Sequence, residues 1–207
     1  PLPGEARRAV HVAHVHRSRT RGFGHTPRHR ASTRHALLRV DADGRHSVPE
    51  LAKGLGSASS RVRMQSAEAL GRLHVVARAA GKDLLPCVHD AQPLVRAKAV
   101  EALIRILPSE KTLLGALAIA LHDPDDEVRI EAVLGLQTFT DNPTDAAPHL
   151  IAALRDREPR VRFHAIEVLE RITPELGLMI PAVGVAIGNC LRDPSELVQT
   201  RAVKASG

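Results

Sequence analysis

Aromatic side chains are almost missing from this chain. Of its 207 residues only three are Phe, and there is no Trp and no Tyr. A sandwich of β-sheets, which favours aromatic and β-branched residues, is a poor match for such a composition. With 43% apolar residues, the core must be built from Leu, Val, Ile and Ala, which suits thin, closely packed helices. Cysteine is also scarce. Cys87 and Cys190 are alone, so there is no disulfide framework and no Cys-x-x-Cys spacing for zinc or haem. Long hydrophobic runs are lacking too. The stretch from Leu113 to Leu121 is far too short to span a bilayer. Residues 1–30 are rich in Arg and His, with no apolar segment of the signal-peptide kind, so a cytoplasmic protein is expected. The chain starts at Pro1 without Met and stops at Gly207 inside a helical pattern, which reads as a fragment or a processed chain.

The charge of +6 is unevenly spread. Residues 1–48 carry +7 and residues 49–207 carry −1. The basic character therefore belongs to the N-terminal segment, and binding of nucleic acid or an acidic partner is expected only through residues 1–48. Residues 1–28 read as a poorly ordered basic extension. Within it His11, His14 and His16 lie close together, but no Cys or carboxylate sits beside them, so no metal site is assigned. No cofactor is expected.

What the chain does have is a repeat. Val62, Val95, Val128 and Val161 follow one another at 33 residues, each with Arg next to it, and Val198 follows after 37 with Gln199 in the Arg place. Four residues on from each Val stands a small residue: Ser66, Ala99, Ala132, Ala165 and Ala202. Eight residues on stand Leu70, Leu103, Leu136 and Leu169. Offsets of 0, 4 and 8 share one helix face, the buried face of a second helix in each unit. Upstream, a first helix ends in an apolar residue two places before an Asp, as in Val88, Leu121, Leu154 and Leu191. Asp and a nearby Pro then stop one helix and start the next. Neither helix can bury its face alone, so the units must stack. The frame extends back to residues 29–40, read as the second helix of a degenerate first unit. The lengthening of the last step falls between Pro174 and Pro181.

Asp90 and Arg96, Asp123 and Arg129, and Asp156 and Arg162 are each six residues apart. With the Val-Arg step, this pattern resembles HEAT repeats over roughly residues 29–207, of the compact bacterial type that includes bilin-lyase-like repeats. The resemblance implies an all-α, right-handed α-solenoid (an α-α superhelix) in which these Asp and Arg residues form a hydrogen-bond ladder between neighbouring repeats. Pro49 and Pro148 resemble the first-helix proline of that family. Ser57 stands in the Asp place of its unit and Gln199 in the Arg place of the last, so the ladder is expected to be intact only in the middle three units.

Second helices line the concave face of such solenoids. On that face the column three residues after the Val holds Gln65, Lys98, Glu131, His164 and Arg201. The column at six holds Glu68, Glu101, Leu134 and Glu167, and the column at ten holds Arg72, Arg105, Thr138 and Arg171. Glu68 with Arg72, Glu101 with Arg105, and Glu167 with Arg171 are spaced for pairing along one helix. Lys98, Arg105, Glu131, Leu134, His164 and Arg201 are the candidate partner-binding residues. Phe163 is either a binding anchor or packing against the next unit. Cys87 and Cys190 share one slot with Ala120 and Ala153, three units apart, and read as small buried residues too distant to pair. No His-Glu dipeptide of the iron-dependent HEAT hydroxylases occurs, nor a nucleophile elbow or phosphate loop. The expected function is a non-catalytic scaffold, a monomer or part of a longer chain, that binds another protein on the concave face. A bilin-lyase-like or chaperone-like action on a chromophore is the alternative, and binding through the basic segment is a third.

Overall fold

The computed structural model describes residues 46–172 and 181–206. The N-terminal segment, the three His residues in it, the degenerate unit at 29–40 and the lengthened connection before Pro181 lie outside the described residues.

Among the described residues the chain is all helical. The helices are α1 (Ser47–Leu55), α2 (Ser60–Arg72), α3 (Gly81–Leu84), α4 (Pro93–Ile106), α5 (Lys111–Ala120), α6 (Asp126–Gly135), α7 (Pro143–Ala153), α8 (Pro159–Ile172), α9 (Pro181–Cys190) and α10 (Glu196–Ser206). Odd-numbered helices are the first of each unit and even-numbered helices the second. The second helices pack on one another in unbroken succession, α2 on α4, α4 on α6, α6 on α8 and α8 on α10, whereas first helices meet their neighbours at far fewer residues. The second helices therefore form the more closely spaced, inner layer of the stack.

Their spacing follows from residue size. Ala99, Ala132, Ala165 and Ala202 are fully buried, as are Leu70, Leu103, Leu136 and Leu169. Small residues let adjacent helices approach, and Leu fills the space one turn later. The approach is close between α2 and α4, where a Cβ on Gly71 would stand 3.0 Å from Cα of Ala102. Phe139 closes the core beyond α6, in the register that Ile106 and Ile172 occupy in their own units, and all three are buried.

The helix starts follow local chemistry. Proline opens α4, α7, α8 and α9, where its missing N–H has no helical partner to lose. Asp125 caps α6, accepting from the N–H groups of Glu127 and Val128. The unit between α2 and α4 is the irregular one. His74 takes a positive φ of 51°. The first helix that should precede Asp90 is split into 3-10 turns at His74–Ala80 and Leu85–His89 on either side of the single turn α3. Pro86 has no N–H with which to carry an α-helix across that junction.

Candidate functional site

Two surfaces recur with the repeat and could do work: the edge formed by the inter-helix turns, and the exposed face of the second helices.

At the turns, each Arg grips the following unit. Arg63 donates through Nε and Nη2 to both carboxylate oxygens of Asp90, at 2.6 and 2.8 Å. Arg96 does the same to Asp123, at 2.7 Å for both bonds. Arg129 holds Asp156 at 2.8 and 3.0 Å. Arg162 holds Asp193 at 2.7 and 2.6 Å. The third nitrogen, Nη1, turns back to the unit's own turn, for example from Arg129 to the carbonyl of Asp123 at 2.8 Å. Each Asp also accepts from the N–H two residues on, closing its turn, as Asp123 does from Asp125 at 2.9 Å. The six-residue spacing seen in the sequence is thus the Arg-to-carbonyl link, and the ion pair spans 27 residues, or 31 at the last junction.

This differs from the expectation at both ends. Ser57 still offers its carbonyl to Arg63, at 2.9 Å, because that contact uses the main chain and needs no carboxylate. Gln199 gives the amide of its side chain to the carbonyl of Asp193 at 2.6 Å, doing half of what Arg does elsewhere. The ion pairs therefore run across four junctions. Arg63 beside Asp90 holds that carboxyl below its usual range. For Asp193 burial pushes upward, but the bonds from Arg162 and Ser195 N–H outweigh it and the net shift is downward. These groups are saturated by one another, and their recurrence in every unit is that of a structural linkage.

The second-helix face is more varied. Lys98 is half-buried and bonds Glu101 at 2.6 Å, and Arg105 reaches the same Glu101 at 2.7 Å. His164 meets Glu167 at 2.9 Å and stacks edge-on with Phe163 at 5.3 Å between ring centroids. Arg201 is bonded to Glu170 and lies 4.0 Å from Glu167. Leu134 packs against the core and is only half-exposed. Glu131 is half-buried, and burial together with the neighbouring Glu101 pushes its carboxyl up. Of the three expected intrahelical pairs, Glu68–Arg72 forms at 2.6 Å and Glu101–Arg105 forms as above. Arg171 instead donates to Gln137 of the preceding unit at 3.0 Å, leaving Glu167 to His164 and Arg201.

Two clefts open on this face in the same register. One, of about 540 Å³, lies between α8 and α10 and is walled by Phe163, Leu197 and Thr200, with Glu167, Arg201 and Lys204 around it. The other, of about 290 Å³, lies between α2 and α4, with Met64 and Leu94 as its main apolar walls. In each, the residue two after the Val of one helix faces the residue one before the Val of the next. Leu94 is 58% exposed and Leu197 48% exposed, large apolar side chains left in water. In the middle of the stack the column one before the Val holds Glu127 and Arg160 instead, which bond each other at 2.5 Å across α6 and α8. Phe163 therefore packs against the core and also lines a cleft. Leu94 and Leu197 escaped the reading from sequence, although the column one before the Val (Arg61, Leu94, Glu127, Arg160, Leu197) displays them.

Among the described residues no group of His, Cys, Asp and Glu is arranged to hold a metal ion, and no helix is long and apolar enough to cross a membrane. Cys87 and Cys190 are both buried, with thiols pushed up by burial.

A model of HEAT repeats matches residues 113–207. The chain is an all-α, HEAT/armadillo-like repeat protein in its fold. No curated protein matches it. Among solved structures it is similar to a chain in the complex of CpcE and CpcF of phycocyanin lyase from Nostoc sp. PCC7120. That match has 24% identity and a TM-score of 0.59, covering 78% of this chain and 98% of that one. It is similar to a designed armadillo repeat protein in complex with the peptide (KR)4, with 20% identity and a TM-score of 0.63, covering 86% and 91%. It is similar as well to the archaeal HEAT-like repeats protein from Thermococcus onnurineus NA1, with 16% identity and a TM-score of 0.59, covering 86% and 79%. The HEAT/armadillo architecture is thus shared with a lyase complex and with designed binding proteins alike.

Proposed function

We propose that this solenoid binds an extended segment of another protein along the exposed face of its second helices, seated by two apolar side chains in the two clefts. The observation that carries this reading is the pair of clefts in one register, apolar at both ends of the face and bridged by ions between them. Large apolar residues in polar surroundings are what a binding anchor needs, since desolvating them drives association while the rim sets orientation. Second helices pack about 8–10 Å apart, so clefts three spacings apart lie about 25–30 Å from one another. That is the reach of roughly eight extended residues. Lys98, Arg105, Glu131, His164 and Arg201 then form the polar surface between and around the anchors. All but Glu131 are already engaged within the chain, so they contribute shape and register more than free charge. The likeness to an armadillo protein that holds a peptide supports the reading.

The experiment is a panel of synthetic 12-residue peptides with two Leu or Phe placed at varied separations, titrated against the chain by fluorescence anisotropy. Binding should peak when the two apolar residues are about eight apart and fall at least tenfold in the double variant Leu94→Ser, Leu197→Ser. Equal binding at every separation, or an unaffected double variant, overturns the reading.

A second reading, action on a bilin chromophore as a lyase-like or chaperone-like protein, is supported by the likeness to the phycocyanin lyase complex, which spans nearly all of the matched chain. Mixing the chain with a bilin and following the visible absorption separates the two. A red-shifted, intensified band favours the second reading, and an unchanged spectrum removes it.

A further inference from the structure

The column three after the Val forms a half-buried floor along the second-helix face, made of Gln65, Lys98, Glu131, His164 and Arg201. Wherever this column carries a base, an acid of the chain answers it. Lys98 bonds Glu101 at 2.6 Å and His164 meets Glu167 at 2.9 Å, in both cases three residues on along the same helix. Arg201 bonds Glu170 of the preceding unit. Where the column is neutral, at Gln65, the Glu three residues on takes Arg72 at 2.6 Å. The unit of α6 breaks this pattern. It has the acid Glu131 in the column, and Leu134 and Thr138 stand at the two positions where α2, α4 and α8 keep Glu and Arg. Among the described residues Glu131 has no hydrogen bond and no ion pair. The bases that act on it through space, Lys98 and Arg105, are both bonded to Glu101, at 2.6 and 2.7 Å. Burial, and after it the charge of Glu101, pushes the carboxyl up, so its ionised form stands at a cost in the free chain.

A partly desolvated carboxylate is relieved by a base brought within hydrogen-bond reach. Leu134, half-exposed about one turn further along the same face, offers an apolar bed beside it. A carboxylate next to an apolar bed matches Lys and Arg, whose methylene stems lie on apolar surface while the charged head reaches for a partner. The place of Glu131 along the stack matters as much as its surroundings. α6 is the middle one of the five second helices, so Glu131 lies midway between the cleft of α2 and α4 and the cleft of α8 and α10. In an extended segment whose apolar anchors are about eight residues apart, the midpoint is about four residues from each. Side chains an even number of residues apart point to the same side of a strand, so the middle side chain faces the same floor as the anchors.

We propose that Glu131 and Leu134 form a subsite for one Lys or Arg side chain, carried by the bound segment midway between its two apolar anchors. The inference rests on the peptide-binding reading and adds to it the chemistry of the partner: apolar, cationic and apolar side chains at steps of about four residues. The other charges of this column are answered within the chain, so Glu131 is where the face tells a positive side chain from a neutral or negative one. The anchors supply affinity, and Glu131 supplies the choice of charge.

Fluorescence anisotropy with the 207-residue chain and labelled peptides tests it. The peptides carry two Leu about eight residues apart, with Arg, Lys, norleucine or Glu midway between them. Arg and Lys should bind about three- to tenfold more tightly than norleucine, which keeps the stem and lacks the charge, and Glu should bind most weakly. Moving the Lys by one residue turns it to the other side of the segment and should abolish its advantage. Glu131→Gln should bring the Lys and norleucine peptides to equal affinity without weakening the norleucine peptide. Glu131→Lys should reverse the order, so that the Glu peptide binds better than the Lys peptide. Circular dichroism checks that each variant is folded, and Glu131→Gln decides the matter alone if Glu131→Lys is not. Equal binding of the Lys and norleucine peptides by the unaltered chain overturns the inference and leaves the peptide-binding reading standing. So does a preference for Lys that survives Glu131→Gln. Failure of every peptide to bind, whatever its middle residue, overturns both.

Discussion

The turn edge and the second-helix face are built from the same helices, yet one is nearly identical from unit to unit and the other changes at every step. On the turn edge each Arg makes two contacts at once, to its own turn and to the next unit, and each Asp closes its own turn while receiving the neighbour's Arg. A substitution there disturbs two units together. On the exposed face, a pair such as Glu68–Arg72 lies within one helix, and its loss concerns that helix alone. Residues that set the pitch of the stack must recur with the pitch. Residues that face water are free to differ, and that freedom is where binding specificity can reside.

Breaking the edge should give the largest effect. Arg129→Ala leaves Asp156 nearly buried without its partner and strands the carbonyls of Asp123 and Pro124. Urea denaturation should show a loss of about 3–5 kcal/mol. An effect no larger than that of an exposed pair would erase the contrast between the two surfaces.

Close packing beneath the edge should come next. In Gly71→Ala the new methyl meets the backbone of Ala102, which cannot move aside as a flexible side-chain tip would. Overpacking of this kind costs about 1–3 kcal/mol, set against about 1 kcal/mol of improved helix propensity. A net loss is expected in thermal melts, and a net gain would mean that α2 and α4 separate easily.

Acid sensitivity sharpens the comparison further. The carboxyl of Asp90 is held below its ordinary value by Arg63, so the folded state binds its proton less readily than the unfolded state does. Its contribution is fully present above the ordinary carboxylate pKa and is lost as the pH falls through the lowered folded value. Asp90→Asn should therefore destabilise the protein at neutral pH and flatten the acid limb of its stability curve. Glu131 has the opposite sign. Burial and Glu101 raise its carboxyl, so its charge works against folding at neutral pH, and that penalty is relieved as the pH falls through the raised folded value toward the ordinary one. Glu131→Gln should raise the neutral-pH melting temperature slightly. A fall would mean that the charged form is held by a favourable contact.

The smallest effect belongs to the exposed pair. Arg72→Ala should cost no more than about 0.5 kcal/mol, and the loss should shrink further in high salt. A salt-insensitive loss of several times that size would place the exposed face among the elements that hold the stack.

Much of the fold is legible from particular residues. The Val series, the small residues four on and the Leu series eight on mark the buried stripe, because a helix returns to the same side at those offsets. The structure buries all of them apart from Val62, which is half-buried. The irregular path from His74 to His89 was not legible, since Val88 and Asp90 keep the pattern of a regular first helix while Pro86 breaks it from within. The candidate binding face was only partly legible. Its columns can be counted along the chain, but Leu94 and Leu197 gain meaning only once Met64 and Phe163 are seen across from them.

By itself, then, the sequence determined the unit, its two helices and the residues on each buried face, because those depend on the local geometry of a helix turn. It also marked the Asp and Arg positions. Only the tertiary structure decided that each Arg holds the Asp 27 or 31 residues later, that the bonds run across four junctions, and that Arg171 reaches Gln137 of the preceding unit and not Glu167. These are contacts between stacked units, set by the distance and rotation from one unit to the next, which no offset along the chain records.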